Sequence, residues 1–176
     1  MEYIVFRILR LMDREIAIYQ KLYSCANTQN RLILDDDIVD LMVVMVKQKE
    51  LIEQVTAIEN EISDEVNELG LLLKNSVTQQ KNFSLNDIFG VLQQRRQKLT
   101  EMLKEKSKIL NILIDRINFL NSQNIEHLRN CKKFPKSDSR KEFQFSNGQG
   151  LSEELIDFDM GFINANEMVL EKFRSH

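Results

Sequence analysis

The stretch Asp37–Lys74, DIVDLMVVMVKQKELIEQVTAIENEISDEVNELGLLLK, decides the fold. Apolar residues recur along it at alternating steps of three and four: Ile38, Leu41, Met45, Ile52, Val55, Ile62, Val66, Leu69 and Leu73. Gln48 and Glu59 complete the series as its polar members. A period between 3.5 and 3.6 lays one stripe along an α-helix, and its regularity is that of a coiled-coil seam. A helix is therefore predicted from about residue 37 to 74. Gln48 and Glu59 either fix the register of the seam or, more simply, mark its ragged edge.

Upstream, the same periodicity begins almost at once. Ile4, Leu11, Ile18, Cys25 and Leu32 form one seven-residue series, and Val5, Met12, Tyr19, Ala26 and Ile33 form its neighbour. Ile8 and Leu22 fall on the same side. The spacing predicts a helix over about 2–33 with a face broad enough to meet two partners. Between the two helices stand Asp35, Asp36 and Asp37, whose carboxylates suit the free N–H groups and positive dipole end of a new helix. No further ligands are spaced to make them a metal site.

Downstream, Asn75–Phe83 lacks periodicity and reads as a loop. Ser84-Leu85-Asn86-Asp87 has the form of a capping box, and Phe83 with Ile88 has hydrophobic-staple spacing. From there a third helix is expected to run unbroken to about Lys133. Its stripe is Leu85, Phe89, Leu92, Arg96, Leu99, Leu103, Lys106, Leu110, Leu113, Ile117 and Leu120. At ~1.5 Å per residue such a helix reaches roughly 75 Å, longer than either partner, so part of it should project. Pro135 stops it, having no N–H and disfavouring the α region at the residue before it. Residues 136–150, rich in Ser, Lys, Gly and Asn, read as a linker. Beyond them Ser152 can cap a final amphipathic helix, with Glu153 and Glu154 in its first turn.

The expected fold is all-α: an antiparallel bundle of three long helices over 1–134, a flexible linker over 135–150, and a C-terminal amphipathic helix within 151–176. Composition agrees. The 176 residues include five glycines, one proline and no tryptophan, too little punctuation for a sandwich or an alternating βα fold. An apolar fraction of 43% is too high for a disordered chain. The longest apolar run, Leu41–Val46, falls far short of the ~20 residues of a membrane helix. A net charge of −3 gives no basic excess for phosphate neutralisation, so nucleic acid is not an expected partner. Cys25 and Cys131 lack metal-site spacing and suit helix faces as small apolar groups. Glu2, Arg7 and Arg10 break the apolar N-terminal stretch as no signal peptide would, and a cytoplasmic location is expected.

Chemistry is sparse. No phosphate loop, zinc motif or nucleophile elbow occurs, so no catalytic residue, cofactor or metal is assigned and the chain is not expected to be an enzyme. His127 beside Glu126 has no nucleophile spaced to it. Glu59, Glu61, Asp64, Glu65 and Glu68 read as a solvated acidic face. Lys132, Lys133, Lys136, Arg140 and Lys141 read as a solubilising run, with anion binding as the alternative. The tail carries the stronger signal. Leu151, Leu155, Phe158, Phe162, Val169 and Phe173 form an apolar face that a short helix can keep only by docking, either on the protein's own bundle or on a partner. These six are the expected partner-binding residues.

Several stretches resemble the FlgN family of flagellar export chaperones, over about residues 4–131. They are Glu15…Tyr19…Leu22, Lys47-Gln48-Lys49-Glu50-Leu51-Ile52, the helix entry Ser84-Leu85-Asn86-Asp87-Ile88, and Leu120-Asn121-Ser122-Gln123-Asn124-Ile125-Glu126-His127-Leu128, similar to a Leu-x-x-x-Asn-x-x-x-Leu signature. The resemblance implies a cytosolic type III export chaperone that binds hook-associated, hook–filament junction proteins of the FlgK and FlgL type. It would keep them from assembling before secretion and deliver them to export apparatus components. It also implies a C-terminal cargo region, where no motif aligns; the six tail residues rest on amphipathy, in a helix-in-groove mode. A coiled-coil scaffold that self-associates through its long helices is the alternative.

Overall fold

The computed structural model describes residues 1–73 and 83–130, apart from the side chains at 87, 90, 91, 94 and 95. Loop residues 75–82, Cys131, the Lys132–Lys141 run, the linker and the six tail residues lie outside the described residues. Among those described there are four helices and no strand: α1 (Glu2–Leu34), α2 (Ile38–Leu73), α3 (Leu85–Arg95) and α4 (Gln97–Asn130). The all-α class expected from the periodicity is the class observed.

The chain divides into two compact units. The first combines Met1–Tyr23 with Glu50–Asp115; the second combines Ser24–Lys49 with the chain from Arg116 onward. Every residue of the two α1 series, with Ile8 and Leu22, is buried. Leu9 joins them, so the face is as broad as expected. In the first unit α1 meets α2 in antiparallel register, through Arg7 with Glu65, Arg14 with Glu61 and Tyr19 with Glu59. It meets the chain around the α3–α4 junction and α4 in parallel register, through Glu2 with Arg96 and Asp13 with Lys106. This is an up-down-up arrangement.

The second unit contains the α1–α2 turn. Asp37 N–H donates to Leu32 C=O at 2.9 Å and Asp36 N–H to Ile33 C=O at 3.3 Å, the double closure of a Schellman motif. Asp36 takes the left-handed conformation this requires, at φ 62°. Asp37 then caps α2, its Oδ1 accepting from Asp40 N–H at 3.1 Å. The Asp triplet thus ends one helix and starts the next. Leu32, Ile33, Leu41 and Leu128 form the apolar cluster beside it, with Ile38, Val44 and Met45 packed against them.

The expected unbroken third helix is overturned at Arg96. That residue separates an 11-residue α3 from a 34-residue α4. Backbone bonds still span the break, from Arg96 N–H to Leu92 C=O at 2.6 Å and from Thr100 N–H to Arg96 C=O at 3.2 Å. The Thr100 hydroxyl also bonds Arg96 C=O, at 3.2 Å, a shared carbonyl that bends helices. On the other side the Arg96 guanidinium reaches Glu2 at 2.6 Å. Arg96, a polar position of the expected stripe, is exposed.

At the end of α2, Gly70 is buried against Phe83. A Cβ on Gly70 would collide with the Phe83 ring. Phe83 N–H donates to Asn67 Oδ1 at 2.8 Å, which fixes the ring over the glycine. Phe83 and Ile88, the expected staple pair, are both buried, and α3 starting at Leu85 leaves Ser84 at the N-cap position. The capping role expected of the Asp87 side chain lies outside the described residues.

Candidate binding surface

The α2 seam is buried or half-buried at every expected position. A second row, Leu51, Ile58 and Glu65, is buried beside it at seven-residue spacing. The polar members of the seam are not a ragged edge. In the second unit the Gln29 amide donates to Gln48 Oε1, and both side chains are buried. In the first, Tyr19 Oη donates to Glu59 Oε1 at 3.4 Å. Each interruption therefore meets a polar partner on α1, as a register-setting residue does.

Other charged residues divide in ways their sequence did not show. Within the expected acidic face, Asp64, Glu61 and Glu68 are exposed, but Glu65 is buried and paired with Arg7. The Tyr19 phenol is pushed well above its ordinary value, first by burial and then by the charges of Glu59 and Glu15. Burial also pushes the Cys25 thiol up, with Lys47 opposing, so this cysteine is an inert core group. His127 is half-buried on α4. Among the described residues no three His, Cys, Asp or Glu side chains gather as a metal site, and no helix is long and apolar enough to cross a membrane.

The second unit holds a layer of buried amides. Asn124 Nδ2 donates to Ala26 C=O at 3.0 Å, and Asn124 Oδ1 accepts from Asn30 Nδ2 at 2.9 Å. Asn121, one turn earlier and fully buried, has neither side-chain atom partnered among the described residues. These groups bind helix to helix. A groove of about 350 Å³ in the first unit lies between α1 and α2 and is rimmed by Arg14, Lys21 and Glu61.

The surface feature that suits macromolecular binding is on α2. Val39, Met42, Val43 and Val46 follow helical spacing, and all are exposed, at 73, 46, 64 and 62%. The same α2 face continues as Lys49, Glu50 and Glu53, all exposed and charged, so the apolar stripe ends abruptly after Val46. Asp35 and Asp40 lie at its other end. Sequence reading assigned α2 a single seam and missed this stripe. The available signal was the run Leu41–Val46, which is apolar all round the helix rather than along one face. The tail residues Leu151, Leu155, Phe158, Phe162, Val169 and Phe173 lie outside the described residues; the α2 stripe is an exposed apolar face among those described.

In comparisons with known proteins, no family model, no curated protein and no solved structure matches the chain.

Proposed function

We propose that the chain is a cytoplasmic export chaperone of the FlgN kind, binding hook-associated proteins and shielding the helical surfaces through which they polymerise. The exposed stripe Val39, Met42, Val43 and Val46 is the observation that carries this reading. A helical bundle with an exposed apolar stripe is suited to amphipathic helices, which dock by anchors spaced three and four apart. The tail supplies a second such face in Leu151, Leu155, Phe158, Phe162, Val169 and Phe173. The resemblance supports the framework more than the binding face. Tyr19, Leu22, Gln48, Leu51, Asn124 and Leu128, drawn from the resembling stretches, are all buried. Export apparatus components would take the loaded chaperone.

Capture from a motile bacterium tests the reading. The full-length protein should retain hook-associated proteins, and a full-length Phe158→Ser/Phe162→Ser variant should lose them with helicity unchanged. Absence of those proteins from both samples sinks the proposal. The same stripe favours a second reading, a scaffold that pairs along α2. A stable dimer in solution that Val43→Asp converts to monomer, with no hook-associated protein captured, would select it.

A further inference from the structure

We propose that the stripe Val39, Met42, Val43 and Val46 is the resting dock of the chain's own segment 151–173, laid antiparallel along α2. An apolar stripe of this size on one helix is normally covered, and a helix with a complementary face is the natural cover. Three features commit the site to this occupant.

The first is where the chain leaves the described structure. Leu128 packs in one cluster with Leu41, and α4 ends two residues later at Asn130. The exit point is therefore in the same unit as the stripe and at the same end of α2. About twenty residues, 131–150, separate it from the apolar segment, and a coil of that length spans roughly 22–27 Å by root-mean-square. The stripe from Val39 to Val46 is only about 10 Å long.

The second is spacing. On a helix, Phe158, Phe162 and Val169 share a face, which a partner with apolar side chains at i, i+3, i+4 and i+7 can receive. Val39, Met42, Val43 and Val46 have that spacing.

The third is charge, which fixes direction. Asp35 and Asp40 bound the stripe at its start, while Lys47 and Lys49 flank its end and Glu50 and Glu53 follow them, all exposed. The segment is acidic in its first half, at Glu153, Glu154, Asp157 and Asp159, and carries Lys172 and Arg174 at its end. Antiparallel docking sets Lys172 and Arg174 beside Asp35 and Asp40 and the acidic half near Lys47 and Lys49, whereas parallel docking sets that acidic half against Asp35 and Asp40. A second copy of α2 would match charges antiparallel too, but only at a concentration-dependent cost that the tethered segment avoids. Any partner of the tail must then compete with the stripe, and it releases the tail only by as much as it binds the free form better.

The experiment uses the full chain carrying Val43→Cys and Cys131→Ser, with Cys25 left buried. Maleimide labelling at Val43→Cys should be slower by about tenfold than at an exposed α1 control, Gln20→Cys, and Phe158→Ser/Phe162→Ser in the same chain should restore the control rate. Lys47→Glu/Lys49→Glu should speed labelling about twofold to fivefold, and adding Glu153→Lys/Glu154→Lys should reverse that. A Val43→Cys/Phe162→Cys chain should oxidise to an intramolecular disulfide. Labelling already at the control rate in the parent chain overturns the proposal. So does protection that vanishes on dilution, or a disulfide-linked dimer, either of which makes a second copy the occupant. Failure of the charge swap to restore protection overturns the antiparallel direction.

Discussion

The two compact units draw on the same long helices and close them with different chemistry. The first unit carries the ion pairs Arg7–Glu65, Arg14–Glu61, Arg96–Glu2 and Lys106–Asp13. The second unit instead buries amides, Gln29 on Gln48 and Asn124 on both Asn30 and Ala26. Charges at a bundle's rim stay solvated and select partners at little net gain. Buried amides are costly when unpaired, so they penalise every register but one. The difference teaches that register in the unit containing the α1–α2 turn rests on buried amides, while in the first unit it rests on Tyr19 with Glu59 and on the buried Glu65 with Arg7, beside an exposed pair, Arg14 with Glu61. That same second unit carries the exposed stripe on α2.

The comparison breaks most readily at Asn124. Asn124→Ala removes two hydrogen bonds inside the amide layer and should lower unfolding stability by about 2–3 kcal/mol in urea titration. Asn121→Leu, one turn away, removes amide atoms without partners and should raise stability by about 1 kcal/mol. Equal losses at both positions would mean the layer does not act through pairing.

The first unit's apolar fit is tested at Gly70. Gly70→Ala should cost about 2 kcal/mol, because the new methyl collides with the Phe83 ring despite a better helix propensity. In a Phe83→Ala background the same substitution should stabilise by about 1 kcal/mol. Thermal melts of the four chains measure the reversal, and a cost that persists without the ring would place the constraint elsewhere.

Alkaline titration gives a smaller, graded effect. The Tyr19 phenol is raised in the folded chain, so above its unfolded value near 10 the unfolded state loses a proton that the native state keeps. Stability is fully present below that pH and should fall by about 1.4 kcal/mol per unit above it. Cys25, raised in the second unit, adds a decline that starts from about 9. Tyr19→Phe should flatten the steeper part of the slope. Smallest of all, Arg14→Ala should change stability by less than about 0.5 kcal/mol and remove part of its salt dependence, since Arg14 and Glu61 are both more than half exposed and 3.6 Å apart.

Much of this arrangement was legible in the residues. The α1 face, the α2 seam, the Asp turn and the start of α3 follow from local spacing, because each depends on a period or a cap that neighbours in sequence define. The break at Arg96 was not legible, since a threonine hydroxyl bonding back to a carbonyl and an arginine drawn to Glu2 leave no mark in the periodicity. Nor was the burial of Glu65, which needed Arg7 from another helix. The α2 stripe was half legible: the run Leu41–Val46 announced too much apolar surface for one seam, but not which side would lie outside it.

By itself, then, the sequence determined an all-α chain, its helix bounds near residues 2–34 and 38–73, and the apolar faces along them, because hydrogen bonds within a helix and burial of one stripe are dictated by local order. The tertiary structure decided which polar groups pair, where the third helix bends, and that Val39, Met42, Val43 and Val46 face outward. Those outcomes depend on side chains far apart in sequence, whose partners exist only once the helices are packed.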